Sequence, residues 1–261
     1  MRILLAILIC LAGPLAAQTP LRALSSAADA DAWQAVGRLS IANGATLCSA
    51  TLLTDRLVLT AAHCLFSPET NQAYRPDQVE FQPGWRNGGA SAYRVAKRFV
   101  VHPEFEMGGQ DWAYRLSRDV ALIELDTPIR GTGITPLHWS QHLPATNDVT
   151  VVSYAMARQN APSIEEDCTI VARELAAMLL SCSAAPGASG APVLAHVAGE
   201  YQVVGMISAI AEWGGDQVSA GVEIGPAMAL LTPLLNAAPG GIQLRPANGG
   251  SIAAQLGRTT P

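Results

Sequence analysis

Short runs of branched apolar residues, bounded by turn residues, recur along most of the chain. Leu57, Val58, Leu59 and Thr60 form one run, and residues 94–101, 120–125, 149–154 and 201–209 form others. Each is four to nine residues long and rich in Val, Ile and Leu. Turn clusters such as Gln82-Pro83-Gly84 and residues 85–89 separate them. Runs of this length between turn signals read as strands, and many at regular spacing indicate an all-β sandwich or barrel. No repeat of fixed period is visible. One helix is predicted late in the chain. Pro226 suits its first turn, Met228, Leu230, Leu231, Leu234 and Leu235 follow, and Pro233 is expected to bend it. Residues 127–147 carry Pro128, Gly131, Gly133, Pro136 and Pro144 and read as a linker between two halves. Residues 25–31 are small and polar and read as a loose segment, and the Gly-, Pro- and Ala-rich stretch 240–261 reads as frayed.

The N-terminus reads as an address. Arg2 is followed by an almost wholly apolar run, 3–15, then by Ala16 and Ala17 before Gln18. This is the pattern of a secretory signal peptide cleaved after Ala17. The run is shorter than the roughly 20 residues a membrane-spanning helix needs, so a retained anchor is the weaker alternative. Ile9 is too large for lipoprotein processing at Cys10. The whole chain has 261 residues, is 49% hydrophobic and carries a net charge of -5. It can bury a core, which excludes global disorder. It has no basic footprint for nucleic acid. Five cysteines are an odd number for an exported protein. Loss of Cys10 with the leader leaves Cys48, Cys64, Cys168 and Cys182, enough for two bridges in an oxidising compartment.

Three short motifs carry candidate chemistry. Thr60-Ala61-Ala62-His63-Cys64 follows an apolar strand. Asp119 leads into the apolar run Val120-Ala121-Leu122-Ile123. Pro186-Gly187-Ala188-Ser189-Gly190-Ala191-Pro192 is a small-residue loop around a serine. Taken singly, His63 could be a buried structural residue and Ser189 part of a tight Gly-rich turn. Asp111 rivals Asp119 but lacks the following apolar strand. Serine Oγ is a poor nucleophile at neutral pH and needs a base within hydrogen-bond reach, itself oriented by an acceptor. His63, Asp119 and Ser189 supply those three functions.

In that chain order, the motifs resemble those of the trypsin/chymotrypsin-like serine proteases, over roughly residues 36–235. The resemblance implies an all-β, chymotrypsin-like fold of two antiparallel six-stranded β-barrels with a C-terminal helix. The expected organisation is a signal peptide (1–17), a flexible N-terminus (18–32), an N-terminal barrel (33–137), a C-terminal barrel with its helix (138–236) and a flexible tail (237–261). The activity implied is that of a secreted or periplasmic serine endopeptidase acting on polypeptides as a monomer. His63, Asp119 and Ser189 would be catalytic, and the N–H groups of Gly187 and Ser189 would form the oxyanion hole. Cys48 and Cys64, 16 apart, match the family bridge beside the catalytic histidine, and Cys168 would pair with Cys182 across a strand–turn–strand segment. Ser183 would lie at the base of the primary pocket, with Ser208, Ala209, Ile210 and Gly221 around it. His102-Pro103-Glu104-Phe105 resembles a structural loop of the family.

Several positions depart from the commonest pattern. Ala188 replaces the aspartate that pairs with a freed N-terminus in vertebrate-type zymogens, and the Ile-Val-Gly-Gly start is absent. Both halves of that activation switch are missing, and the pattern looks more like bacterial glutamyl-endopeptidase-type enzymes, whose loops also lack the aspartate. Ser183 gives no reason for a Lys or Arg preference, and Ile207 stands where glutamyl specificity would place a histidine. Small or medium uncharged side chains are the expected preference. No cofactor is implied and no Cys/His set has zinc spacing, while a structural calcium ion is left open. The chief alternative is a catalytically silent binding protein on the same fold. An α/β-hydrolase is disfavoured because its chain order is Ser, Asp, His and Ala191 breaks its Gly-x-Ser-x-Gly elbow.

Overall fold

The computed structural model describes residues 21–108 and 111–237. The expected leader, 1–17, and the tail after Ala237 lie outside the described residues. In chain order, β1 (Arg22–Ala23) and α1 (Ala27–Asp31) precede β2 (Val36–Ile41), β3 (Thr46–Leu52), β4 (Leu57–Thr60), β5 (Val79–Pro83) and β6 (Arg94–Val101). Helix α2 (Trp112–Leu116) separates β6 from β7 (Ala121–Leu125). Then come β8 (Asp148–Ala155), β9 (Arg158–Glu174), β10 (Ala177–Leu180), β11 (Pro192–Val197), β12 (Glu200–Trp213), β13 (Asp216–Glu223) and α3 (Ile224–Ala237).

Strands β2 to β7 close into a barrel in the order β2-β3-β4-β7-β6-β5. In the second half, β9-β10-β13-β12-β11-β8 are neighbours, and the additional β8–β9 pairing joins the ends. Register shifts between β8 and β9, β9 and β10, β11 and β12, and β12 and β13 mark bulges that curve this sheet. The all-β, two-barrel expectation is therefore met. Leu39, Leu52, Leu59, Phe81, Phe99 and Leu122 fill the first barrel. Val151, Ile170, Leu180, Val193 and Val204 belong to a second cluster. The late helix forms where expected. Ile224, Ala227, Met228, Leu231 and Leu235 recur at helical spacing and join the first barrel's cluster.

Two stretches differ from the sequence expectation. Of the N-terminal segment expected to be flexible, residues 18–20 lie outside the described residues, and residues 22–31 are built into the fold: Leu24 is fully buried and its N–H donates to Pro162 O at 2.8 Å. Arg22 and Ala23 thereby pair with Ile164 and Ser163, and the Ser26 hydroxyl caps α1 through Asp29 N–H. Strand β12 also runs past Ala209 to Trp213, as a ribbon with β13 ending at Trp213↔Asp216. Its outer residues Ile210 and Trp213 are exposed, so no buried face announced them.

The two barrels come into close contact at Gly190. Its φ of +86° suits glycine, and a β-carbon there would collide with the Ser49 carbonyl and the Thr60 hydroxyl. Backbone strain and overpacking would add, so Gly190→Ala is expected to destabilise the fold by about 2–6 kcal/mol. Urea unfolding checks this, and an unchanged midpoint would contradict the close approach.

Candidate active site

Strands β4 and β7 are antiparallel neighbours, with Thr60 opposite Ala121. The residues just after β4 and just before β7 therefore come together. His63 occupies the 3₁₀ turn Ala62–Leu65 that follows β4. Its Nδ1 lies 2.6 Å from Asp119 Oδ2, and its backbone N–H donates to Asp119 Oδ1 at 2.8 Å. A third donor arrives from the other barrel, since the Ser208 hydroxyl donates to Asp119 Oδ2. Asp119 is only 5% exposed. Burial alone would raise its pKa, but His63 and these hydrogen bonds hold it below the usual carboxylate value. Burial would likewise lower the His63 pKa, yet the Asp119 charge and hydrogen bond outweigh it and raise it.

Ser189 sits on a tight turn between Gly187 (φ +97°) and Gly190. Ala188 N–H donates to Ala185 O and Ala191 N–H to Ala188 O, both at 2.9 Å, which folds the loop on itself. The Pro186 carbonyl accepts Met156 N–H at 2.8 Å. In a trans peptide the C=O and the next N–H point oppositely, so this bond turns Gly187 N–H away from Met156. Among the described residues, neither Gly187 N–H nor Ser189 N–H finds a protein acceptor. Ser189 Oγ donates to the Ser208 carbonyl at 3.2 Å. Among the described residues no hydrogen bond joins it to His63, although both line one cavity.

Ser49, on β3, was not marked as a site residue in the sequence. Its fully buried hydroxyl donates to Gly187 O at 2.9 Å and accepts Tyr154 N–H at 2.9 Å. Its backbone N–H donates to Ser189 O at 2.8 Å. One residue of the first barrel thus grips the loop of the second on both sides of Ala188. Nothing local identifies it, because its partners are more than a hundred residues away in sequence.

The expected pocket residues divide. Ala209 and Ile210 line a cavity of about 170 Å³ beside Ser189, together with Ala184, Ala185, Pro186, Ala188 and Ile207. No charged side chain is among them. Ser183 is not in this lining. It is exposed, with its N–H and hydroxyl donating to the buried Glu165 carboxylate at 2.9 and 3.2 Å. Gly221 is also outside it and lets β13 approach β12, where a β-carbon would press on Met206 O at 2.6 Å. Ser208 faces Asp119 through its side chain and Ser189 through its carbonyl. A second cleft, lined by His63, Phe105, Met107, Leu116, Asp119 and Ala209, continues along the open edge of β12.

Both expected bridges are present, Cys48–Cys64 and Cys168–Cys182. Their sulfurs also dominate the groupings Cys48-His63-Cys64 and Glu165-Cys168-Cys182, and a disulfide sulfur offers no thiolate to a metal. Asp111 caps α2 by accepting Tyr114 N–H at 2.9 Å, which removes it as a rival to Asp119. His102 is structural. Burial, then Arg118, pushes its pKa down to about 4 against the pull of Glu104, and its Nδ1 accepts Glu104 N–H at 3.2 Å.

Comparison with known proteins agrees with this architecture. Among solved structures, the chain is similar to a Glu endopeptidase in complex with MPD. The TM-score is 0.63 at 17% identity, covering 79% of this chain and 92% of that one. It is also 26% identical, over 121 residues, to Trypsin V-A and Trypsin V-B of Rattus norvegicus. Those matches take in 44% of this chain and 43% of each rat protein, so the chain spans less than half the length of these curated relatives. The Trypsin family profile matches residues 25–225. With that match spanning both barrels and every residue of the cleft, the chain belongs to the trypsin family.

Proposed function

We propose that this protein is an exported serine endopeptidase that hydrolyses polypeptides through an acyl-enzyme on Ser189. The observation that carries this reading is the convergence at one cleft of the His63–Asp119 pair with Ser189 and two unpaired N–H groups. In the reaction, His63 Nε2 takes the Ser189 proton as Oγ bonds to the scissile carbonyl carbon. The developing oxyanion lies against the N–H groups of Gly187 and Ser189. Collapse breaks the C–N bond, and His63 returns the proton to the leaving amine. Water then repeats the sequence on the ester. Asp119 holds the imidazole tautomer and stabilises the imidazolium.

Ser189 must exchange its bond to Ser208 O for one to His63. Ser208 lies on the stretch of β12 that pairs with β13 on one side only. A substrate strand added to the open edge would offer an N–H to Ser208 O and free the hydroxyl. The uncharged 170 Å³ cavity supports small or medium uncharged residues before the scissile bond. Buried Ala188, with no carboxylate to receive a new N-terminus, supports a protease that needs no such switch. The two bridges and the apolar leader support export, and the monomer with no lasting membrane attachment is part of the same reading. Among the described residues no helix is long and apolar enough to cross a membrane.

The Ser189–Ser208 bond also favours the silent binding protein, in which Ser189 stays parked. A fluorophosphonate probe separates the two readings. Residues 18–261 should label, lose labelling in Ser189→Ala, and cleave a peptide library after small or medium uncharged residues. No labelling at any pH favours the silent reading.

The general base must be neutral, so a raised His63 pKa moves the acid limb of activity upward. The limb of kcat/KM is expected above the ordinary 6.5. Asp119→Asn should move it downward and cut kcat about ten-thousandfold, on the scale of carboxylate-to-amide changes in such triads. A limb unmoved by Asp119→Asn would deny the pairing its electrostatic role.

Ser49→Ala removes the donor to Gly187 O without touching substrate. It should lower kcat about tenfold with KM little changed, and weaken a peptide boronic acid in step with kcat. A loss confined to thermal stability, with boronate affinity intact, would make Ser49 a packing residue only.

A further inference from the structure

The cavity that His63 and Ser189 both line has a volume of about 380 Å³. It shares His63 and Met107 with the cleft beside Asp119, and Pro186 and Ser189 with the 170 Å³ cavity, but includes no residue of β12. Its walls are the Cys48–Cys64 bridge, Met156, Pro186, Gly187 and residues 44–47 of the first barrel. If the acyl half of a substrate lies along β12, as the proposed endopeptidase reading requires, this cavity receives the leaving half.

Its chemistry is lopsided. Among the described residues, Arg38 is the one ionisable side chain in the lining besides His63, and no carboxylate lines it. Arg38 projects from β2 beside Ser49, its cross-strand partner. The guanidinium lies over the Trp85 ring, 4.0 Å from its centroid. Stacking fixes the plane and leaves the edge N–H groups for a planar acceptor. Among the described residues Arg38 makes no ion pair, and its buried Nε has no hydrogen-bond partner. Among the described residues, Arg22, Arg75, Arg98, Arg118 and Arg130 meet carboxylates, and Arg56, Arg86 and Arg94 donate to backbone carbonyls. A half-buried, stacked, unpaired guanidinium in a cleft is poised for an anion, because burial without a partner costs free energy that a bound anion recovers.

We propose that Arg38 forms a carboxylate-binding subsite on the leaving-group side, selecting substrates with an acidic residue shortly after the scissile bond. The carboxylate could be an Asp or Glu side chain or the free C-terminus of a short leaving peptide.

The test uses amidated peptides with a common apolar residue before the scissile bond. Asp or Asn is placed at the first, second or third position after it, and a further arm ends in a free carboxylate at each length. Wild type should show a kcat/KM ratio of Asp to Asn of about tenfold at one position. Arg38→Met should bring the ratio to about one, Arg38→Lys should retain part of it, and 0.5 M salt should reduce it in wild type. Preference for the free-carboxylate arm alone assigns the site to the substrate terminus. The same ratios are read as affinities with Ser189→Ala, so the subsite is tested even if the chain hydrolyses nothing. Failure to cleave any peptide would sink the endopeptidase reading. Equal Asp, Asn and free-acid ratios in both formats, or an Asp preference that survives Arg38→Met, would overturn the subsite.

Discussion

Two adjacent residues on strand β3 tie together the loops that carry His63 and Ser189. Cys48 is bonded to Cys64, the residue after His63. Ser49 is hydrogen-bonded to the carbonyls of Gly187 and Ser189. The histidine loop and the nucleophile loop belong to different barrels, yet both are referred to one short length of backbone. Covalent attachment on one side and hydrogen bonds on the other are short-range, so small rearrangements elsewhere do not change the separation. The requirement is steep because near-attack geometry tolerates little displacement. Gly190 makes this possible, since only a residue without a β-carbon lets the loop press against the Ser49 carbonyl.

The second constraint is electrostatic. An unpaired carboxylate at the depth of Asp119 would be neutralised rather than ionised. Here three hydrogen bonds hold the charge: the His63 ring, the His63 backbone and the Ser208 hydroxyl. The first two come from the same barrel as Asp119, and the third from its neighbour. The hydrogen bonding of the Asp119 carboxylate is thus completed only when the barrels dock. Ser208 serves both halves, because its carbonyl also takes the Ser189 proton donor.

The parts of this arrangement that are local in sequence were legible in it. His63 and Asp119 stand at the ends of paired apolar strands, and Ser189 lies in a loop whose glycines announce a positive φ. The cysteine pairing followed from the family resemblance and is borne out. What could not be read depends on contacts across the chain. Ser49 is one small polar residue in an apolar strand, and its meaning comes from Gly187 and Tyr154. Ser183 has the right offset from Ser189 for a pocket floor, yet the buried Glu165 draws it away, and no spacing rule anticipates a carboxylate from β9. The N-terminal segment looked loose by composition because a single buried side chain, Leu24, decides its placement.

The parked position of Ser189 connects recognition with chemistry. Its hydroxyl donates to the Ser208 carbonyl, an acceptor on the edge of β12 that pairs with β13 on one side only. An incoming strand competes for that acceptor with a backbone N–H, a donor that every substrate residue except proline carries. In the proposed mechanism, docking in register displaces the hydroxyl toward His63, which Asp119 already holds. A ligand that fills the pocket without presenting that N–H leaves Ser189 where it is. Under the proposed mechanism, the nucleophile is armed by backbone alignment rather than by side-chain fit. That makes the open edge of β12 as much a part of the reaction as the three residues named from sequence.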